Sequence, residues 1–166
     1  NPKGTRPVFR NLLTAAQHNG MEVIVVRRET DSVFDETSAG HARLLESTAE
    51  GLTALSNTLR SEHLARIVHR DAYNDQHEIP RPRKDRVKKA AKYIRAHSRP
   101  ILVVIERFED FCAVNEVSGD TELRGSFEFL FSGFRWYNVY FAAGFYPNDE
   151  AVATHPLMSK YNQDEF

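Results

Sequence analysis

Four charged residues, Glu106, Arg107, Glu109 and Asp110, follow directly on the apolar run Ile101–Ile105. Five consecutive apolar residues after Pro100, ended abruptly by charge, read as a strand buried on both faces. Such strands carry function at their carboxyl ends, where the crevice of an open α/β sheet lies. A carboxylate there can hold a divalent cation, whereas Arg107 stays protonated at neutral pH and cannot act as a base. A second place for chemistry is the amino end, Asn1–Val8, with Gly4, Thr5 and Arg6 ahead of Pro7. A glycine-containing loop that opens a helix is the geometry of a phosphate site. Laid on G-x-x-x-x-G-K-[ST], Thr5 falls at the last Gly, Arg6 at the Lys and Pro7 at the Ser/Thr. Pro7 then offers neither a hydroxyl nor an N–H, and Thr5 has a Cβ where the backbone must come close. Both segments also have a plain reading: a strand capped by solvated charges, and a proline-initiated helix with a solvated Arg.

Other chemistries find no support. The seven histidines form no His-Glu-x-x-His pair, and Cys112 has no partner for a disulfide or a thiolate metal site. There is no Gly-x-Ser-x-Gly elbow. A net charge of −1 gives no global field toward nucleic acid or an anionic membrane. The 41% hydrophobic and 27% charged contents, over 166 residues, suit one ordinary globular domain spanning 1–166. No apolar run approaches a membrane span and no signal peptide is visible.

The elements that position these residues can be placed in order. Asn1–Val8 reads as a loop, with Pro7 first in a helix whose stripe is Phe9, Leu12, Leu13 and Ala16 and whose end is His18-Asn19-Gly20. Glu22–Val26 reads as a strand, Glu29–Gly40 as a mobile polar loop, and Arg43–Glu46 as a short strand. Ser47-Thr48-Ala49-Glu50 reads as a capping box with Ser47 at the N-cap. The helix it opens runs to about Ala72, with Arg60, Glu62, Arg66 and Arg70 on its exposed face. Tyr73–Lys84 reads as a surface loop. The basic run Arg81–Lys89 is of a kind that can bind phosphate backbones, but it leads into a helix with Val87, Ala90, Ala91 and Ile94 inward, which favours a solvated face for its lysines, and no aromatics interleave with them. After Ile101–Ile105 come a loop over Phe111–Asp120, an aromatic helix with Leu123, Phe127, Leu130, Phe131 and Phe134, and a strand over Asn138–Phe145. Pro147-Asn148-Asp149 caps a last helical piece. Strands alternating with helices predict an α/β fold with a parallel sheet flanked by helices.

The order and spacing resemble a RecA-like P-loop NTPase, and Leu102–Phe111 resembles the Walker B segment of the FtsK/SpoIIIE family: an apolar strand, Asp-Glu-Phe, one residue, Asp-Leu. Glu106 stands at the Mg²⁺-binding Asp and Arg107 at the catalytic Glu, while Phe108, Asp110 and Phe111 keep the pattern. Gly4, Thr5 and Arg6 would then be a degenerate Walker A. Together with Tyr137–Phe145, the chain is most similar to the degenerate C-terminal ATPase domain of EssC-type proteins, the membrane-anchored motors of type VII secretion in Gram-positive bacteria. The strand over Asn138–Phe145 ends without the polar residue that senses the γ-phosphate in that family.

The resemblance implies a fragment that lacks the terminal strands of the fold, in keeping with a start at Asn1 rather than Met. It implies a cytoplasmic domain of a membrane-anchored protein, with ATP and Mg²⁺ bound weakly or not at all, and a role in regulating or recognising secreted substrates rather than in hydrolysis. The partners implied are helical secreted proteins and their chaperones, neighbouring ATPase domains of the same parent chain, and an oligomer. Phe127, Phe131 and Tyr146 are the expected contact residues. Two alternatives stay open: an active ATPase with Mg²⁺ on Glu106 and Glu109 as base, and a DNA translocase, against which the near-neutral charge counts.

Overall fold

The computed structural model describes residues 2–35, 39–79, 86–117 and 134–144. They form helix α1 (Pro2–His18), strands β1 (Glu22–Arg27) and β2 (Arg43–Glu46), helices α2 (Ala49–Gln76) and α3 (Arg86–His97), strand β3 (Ile101–Ile105), helix α4 (Phe108–Val117), a 3₁₀ turn (Phe134–Tyr137) and strand β4 (Val139–Ala143). The strands make one sheet in the order β2-β1-β3-β4. Every pairing is parallel, with Val23 opposite Leu102 and Leu102 opposite Tyr140. The expected α/β fold with a parallel sheet and flanking helices is therefore present.

The unbroken apolar runs are explained by two covered faces. Ile24 and Val26 of β1, Ile101, Val103 and Ile105 of β3 and Val139 of β4 point to one side, against Leu52, Leu55 and Leu59 of α2 and Phe108 and Phe111 of α4. Val23, Val25, Leu102 and Val104 point to the other, against Phe9, Leu13 and Ala16 of α1. Each large side chain buried this way stabilises the fold by about 1.5–3 kcal/mol. A third cluster joins α3 to α2 and the 3₁₀ turn through Ala90, Ile94 and Tyr137.

The connections obey one hand. β2 to β3 and β3 to β4 move the same way across the sheet, with α2 and α4 on the same face. β1 to β2 moves the other way, and Phe34 of that connection packs on the opposite face. All three are the same crossover, which the twist of strands makes right-handed.

Five sequence readings need correction. The first eight residues are not a loop: α1 begins at Pro2 and carries Gly4, Thr5, Arg6 and Pro7 within it. Pro2 takes the first-turn place that suits proline, and Pro7, in the second turn, forfeits the bond to the carbonyl four residues back. The N-cap of α2 is Thr48, one residue later than Ser47, and its side chain accepts from the Gly51 N–H at 3.2 Å. Gly51 fixes that register, because a Cβ there would lie 1.9 Å from the Glu46 carbonyl oxygen. Helix α2 continues through Tyr73 to Gln76, so the expected loop begins later. Arg66, expected on an exposed face, is 2% exposed. It is buried because it donates to the Arg99 carbonyl at 2.7 Å and pairs with Glu62, which satisfies the charge. Finally, Phe108–Val117 is helix α4, where Phe111 onwards reads as loop. Phe108, Phe111 and Cys112 recur at helical spacing and all are buried, with Glu109 and Asp110 in the favourable first turn. The readings for the helix over Leu123–Leu130, for Phe127, Phe131 and Tyr146, and for the last helical piece lie outside the described residues. Phe134 belongs to the 3₁₀ turn.

Candidate functional site: the carboxyl end of the sheet

Strand order reverses between β1 and β3: the chain leaves β1 toward β2 on one side and leaves β3 toward β4 on the other. That is the place where open α/β sheets leave a ligand crevice. Glu106 sits there, immediately after β3. Its N–H donates to the Val26 carbonyl at 2.9 Å, which extends the pairing one residue past the strand.

The carboxylate of Glu106 is 5% exposed and already filled. One oxygen, Oε2, accepts from the Arg28 N–H at 2.8 Å and from Ser32 Oγ at 2.6 Å. The other, Oε1, accepts from the Val33 N–H at 2.5 Å. Ser32 Oγ in turn accepts from the Phe34 N–H at 3.0 Å. Charge-assisted bonds of this kind are roughly twice as strong as neutral ones. They gather the segment after β1 over the crevice. Asp31 adopts a left-handed φ of +55° to make the turn, a conformation Asp tolerates. Beyond it, Phe34 is buried and meets Phe9 at 5.4 Å between ring centroids. Ala39 is buried too, and its carbonyl accepts from Gln17 Nε2 at 3.0 Å. Within the loop expected to be mobile, Ser32 and Val33 are thus bonded to Glu106, and Phe34 and Ala39 meet α1.

The neighbouring charges pair among themselves. Arg28 Nε donates to Asp110 Oδ2 at 3.0 Å. Arg107 Nε lies 3.7 Å from Glu109 Oε2 and 4.0 Å from Asp110 Oδ2. Phe108 and Phe111, which carry the family-like pattern, stack with ring centroids 5.9 Å apart in the core. At the end of β4, Gly144 leaves no room for a side chain: a Cβ would lie 2.6 Å from the Glu106 carbonyl oxygen and 2.8 Å from Phe9 Cζ.

Of the sequence-derived site residues, Glu106 and Arg107 stand together at the carboxyl end of β3. Gly4, Thr5 and Arg6 belong to α1 rather than to a loop. No group of three or more His, Cys, Asp or Glu side chains able to hold a metal ion occurs among the described residues. Sequence reasoning missed Arg28, Ser32 and Val33 as the partners of Glu106. They lie 73 to 78 residues away along the chain, and no motif links them. No protein-family model, no curated protein and no solved structure matches this chain.

Proposed function

We propose that this chain is a nucleotide-site-degenerate relative of the FtsK/SpoIIIE ATPase domains, of the EssC type, that regulates secretion or recognises secreted protein substrates instead of hydrolysing ATP. The observation that carries the reading is the engagement of Glu106 by three donors of the chain itself. Two backbone amides and a hydroxyl already occupy three of the carboxylate's roughly four acceptor sites, so Mg²⁺ would have to compete with the donors that hold it. Arg107 in the neighbouring position offers a fixed positive charge and no base. With Pro7 inside α1, the amino end supplies no N–H at the place where the phosphate motif needs one. The alternative of an ATPase with Mg²⁺ on Glu106 must break this arrangement first.

The topology suits the same relationship. α1 covers the face opposite α2 and α4, so a right-handed connection into α1 would start from the outer edge of β4. The strand that the resemblance places ahead of α1 belongs there. The partners proposed are helical secreted proteins with their chaperones, within a membrane-anchored parent of a Gram-positive bacterium. No helix among the described residues is long and apolar enough to cross a membrane. The reading is tested by calorimetry with helical secretion substrates. Saturable binding that is indifferent to Mg·ATP supports it, and absence of binding to any such helix removes it.

A further inference from the structure

We propose that the outward face of α3 is a binding surface for single-stranded nucleic acid. The proposal is independent of the nucleotide-site reading. Helix α3, Arg-Val-Lys-Lys-Ala-Ala-Lys-Tyr-Ile-Arg-Ala-His, holds five Lys and Arg residues and no acid. The chain as a whole carries −1, so this is a local concentration of charge rather than a general basicity. The acid on α2 nearest to it, Asp71, is engaged with Arg70 at 2.9 Å and with Arg86 at 3.8 Å.

Helical spacing sorts the exposed cations, with half-buried Tyr93 among them, into two strips. Lys88, Lys92 and Arg95, at i, i+4 and i+7, form one, and Lys89, Tyr93 and His97, at i, i+4 and i+8, form the next. The sequence shows no aromatics interleaved with these cations, but the fold supplies them on both borders. On the first border Trp136 lies under Lys88 Nζ at 5.3 Å and under the Arg135 guanidinium at 4.9 Å. On the second, Tyr93 stacks on His97 at 3.9 Å, with His69 of α2 5.7 Å from His97 and Tyr73 5.7 Å from Tyr93. Exposed cations that can track phosphates, bordered by half-buried rings whose present partners a base would replace, are the combination single-stranded nucleic acid needs.

Two other anionic partners fit less well. An acidic peptide would use the cations but not the rings. A membrane surface needs large aliphatic side chains to insert, and the exposed positions of α3 are Lys88, Lys89, Lys92, Arg95, Ala96 and His97.

The chain has one tryptophan, Trp136, so the surface carries its own probe. The experiment titrates a twelve-residue oligo-dT into the full chain at 50 mM salt and follows Trp136 fluorescence together with anisotropy of the labelled oligonucleotide. The expected result is saturable binding with a change in Trp136 emission, and a slope of log K against log salt of about −2 to −3, for three or four phosphate contacts. K92E/R95E should weaken binding at least tenfold and flatten the slope by about 1.4. Tyr93→Ala should weaken binding about tenfold with the slope unchanged, since it removes stacking and not charge. Should K92E/R95E melt early, Lys92→Gln replaces it, with an expected loss of about 0.7 in slope. No saturable binding overturns the proposal. Equal affinity for polyglutamate or for phosphatidylserine vesicles overturns it in favour of an acidic peptide or a membrane. Unchanged affinity in the charge variants overturns it as well.

Discussion

The carboxylate of Glu106 shows how much a residue's partners decide its chemistry. By position it stands at the carboxyl end of a central strand, and by contacts it ties the segment after β1 to the end of β3. Glu106→Ala should therefore cost about 2–3 kcal/mol in denaturant unfolding, because three donors lose a charged acceptor. It should also open the bond after Arg28 to trypsin. A surface carboxylate would show neither effect. Gly51→Ala should destabilise by more than about 2 kcal/mol, since the added Cβ meets the Glu46 carbonyl and backbone must move. His63 sets a pH dependence. Burial first, then Arg70 and Arg66, push its pKa below the ordinary 6.5. The unfolded chain binds that proton more readily, so stability is full above 6.5 and falls as pH drops through 6.5 toward the lowered folded value. His63→Phe should flatten the stability curve between pH 7 and pH 5, and an unchanged curve would assign the acid-side loss elsewhere. None of these contacts was legible in the sequence. Glu106 was picked out by type and place, but its partners come from a loop that only the fold brings across.

At the scale of elements, period and punctuation carried most of the information. The five apolar residues of β3, the Gly20 stop of α1 (φ +71°) and the Val87-Ala90-Ala91-Ile94 stripe are local signals with one physical meaning, and each element stands where it was read. The errors have equally local causes. Two prolines compete to start α1, and only packing of Phe9, Leu13 and Ala16 on the sheet allows Pro7 inside it. Pro7→Ala should accordingly stabilise the chain, by up to about 3 kcal/mol, by restoring a helix bond. A helix that began at Pro7 would gain nothing. In α4 the acidic pair that looks catalytic also supplies first-turn charges to a helix, and the phenylalanines beside it are core residues. Arg66 was read as solvated because α2 alone gives no hint that the Arg99 carbonyl, just ahead of β3, will meet it.

For the whole molecule, alternation of strands and helices foretold the parallel sheet, and the right-hand rule accounts for which face each connection takes. Strand order and the partners of Glu106 were not legible, because both depend on contacts far apart in the chain. The same holds for the basic helix α3: its charge was visible, and the rings that border it were not. The central claim is that Glu106, at the carboxyl end of β3, is held by the segment after β1 and does not work as an Mg·ATP site. Isothermal calorimetry with Mg·ATP, run beside a phosphate-release assay on the wild-type chain and Glu106→Gln, tests it most directly. The expected result is no Mg²⁺-dependent binding and no turnover in either protein. Mg²⁺-dependent binding with hydrolysis that Glu106→Gln abolishes would contradict the account, and would make Glu106 a metal ligand that leaves its loop when nucleotide arrives.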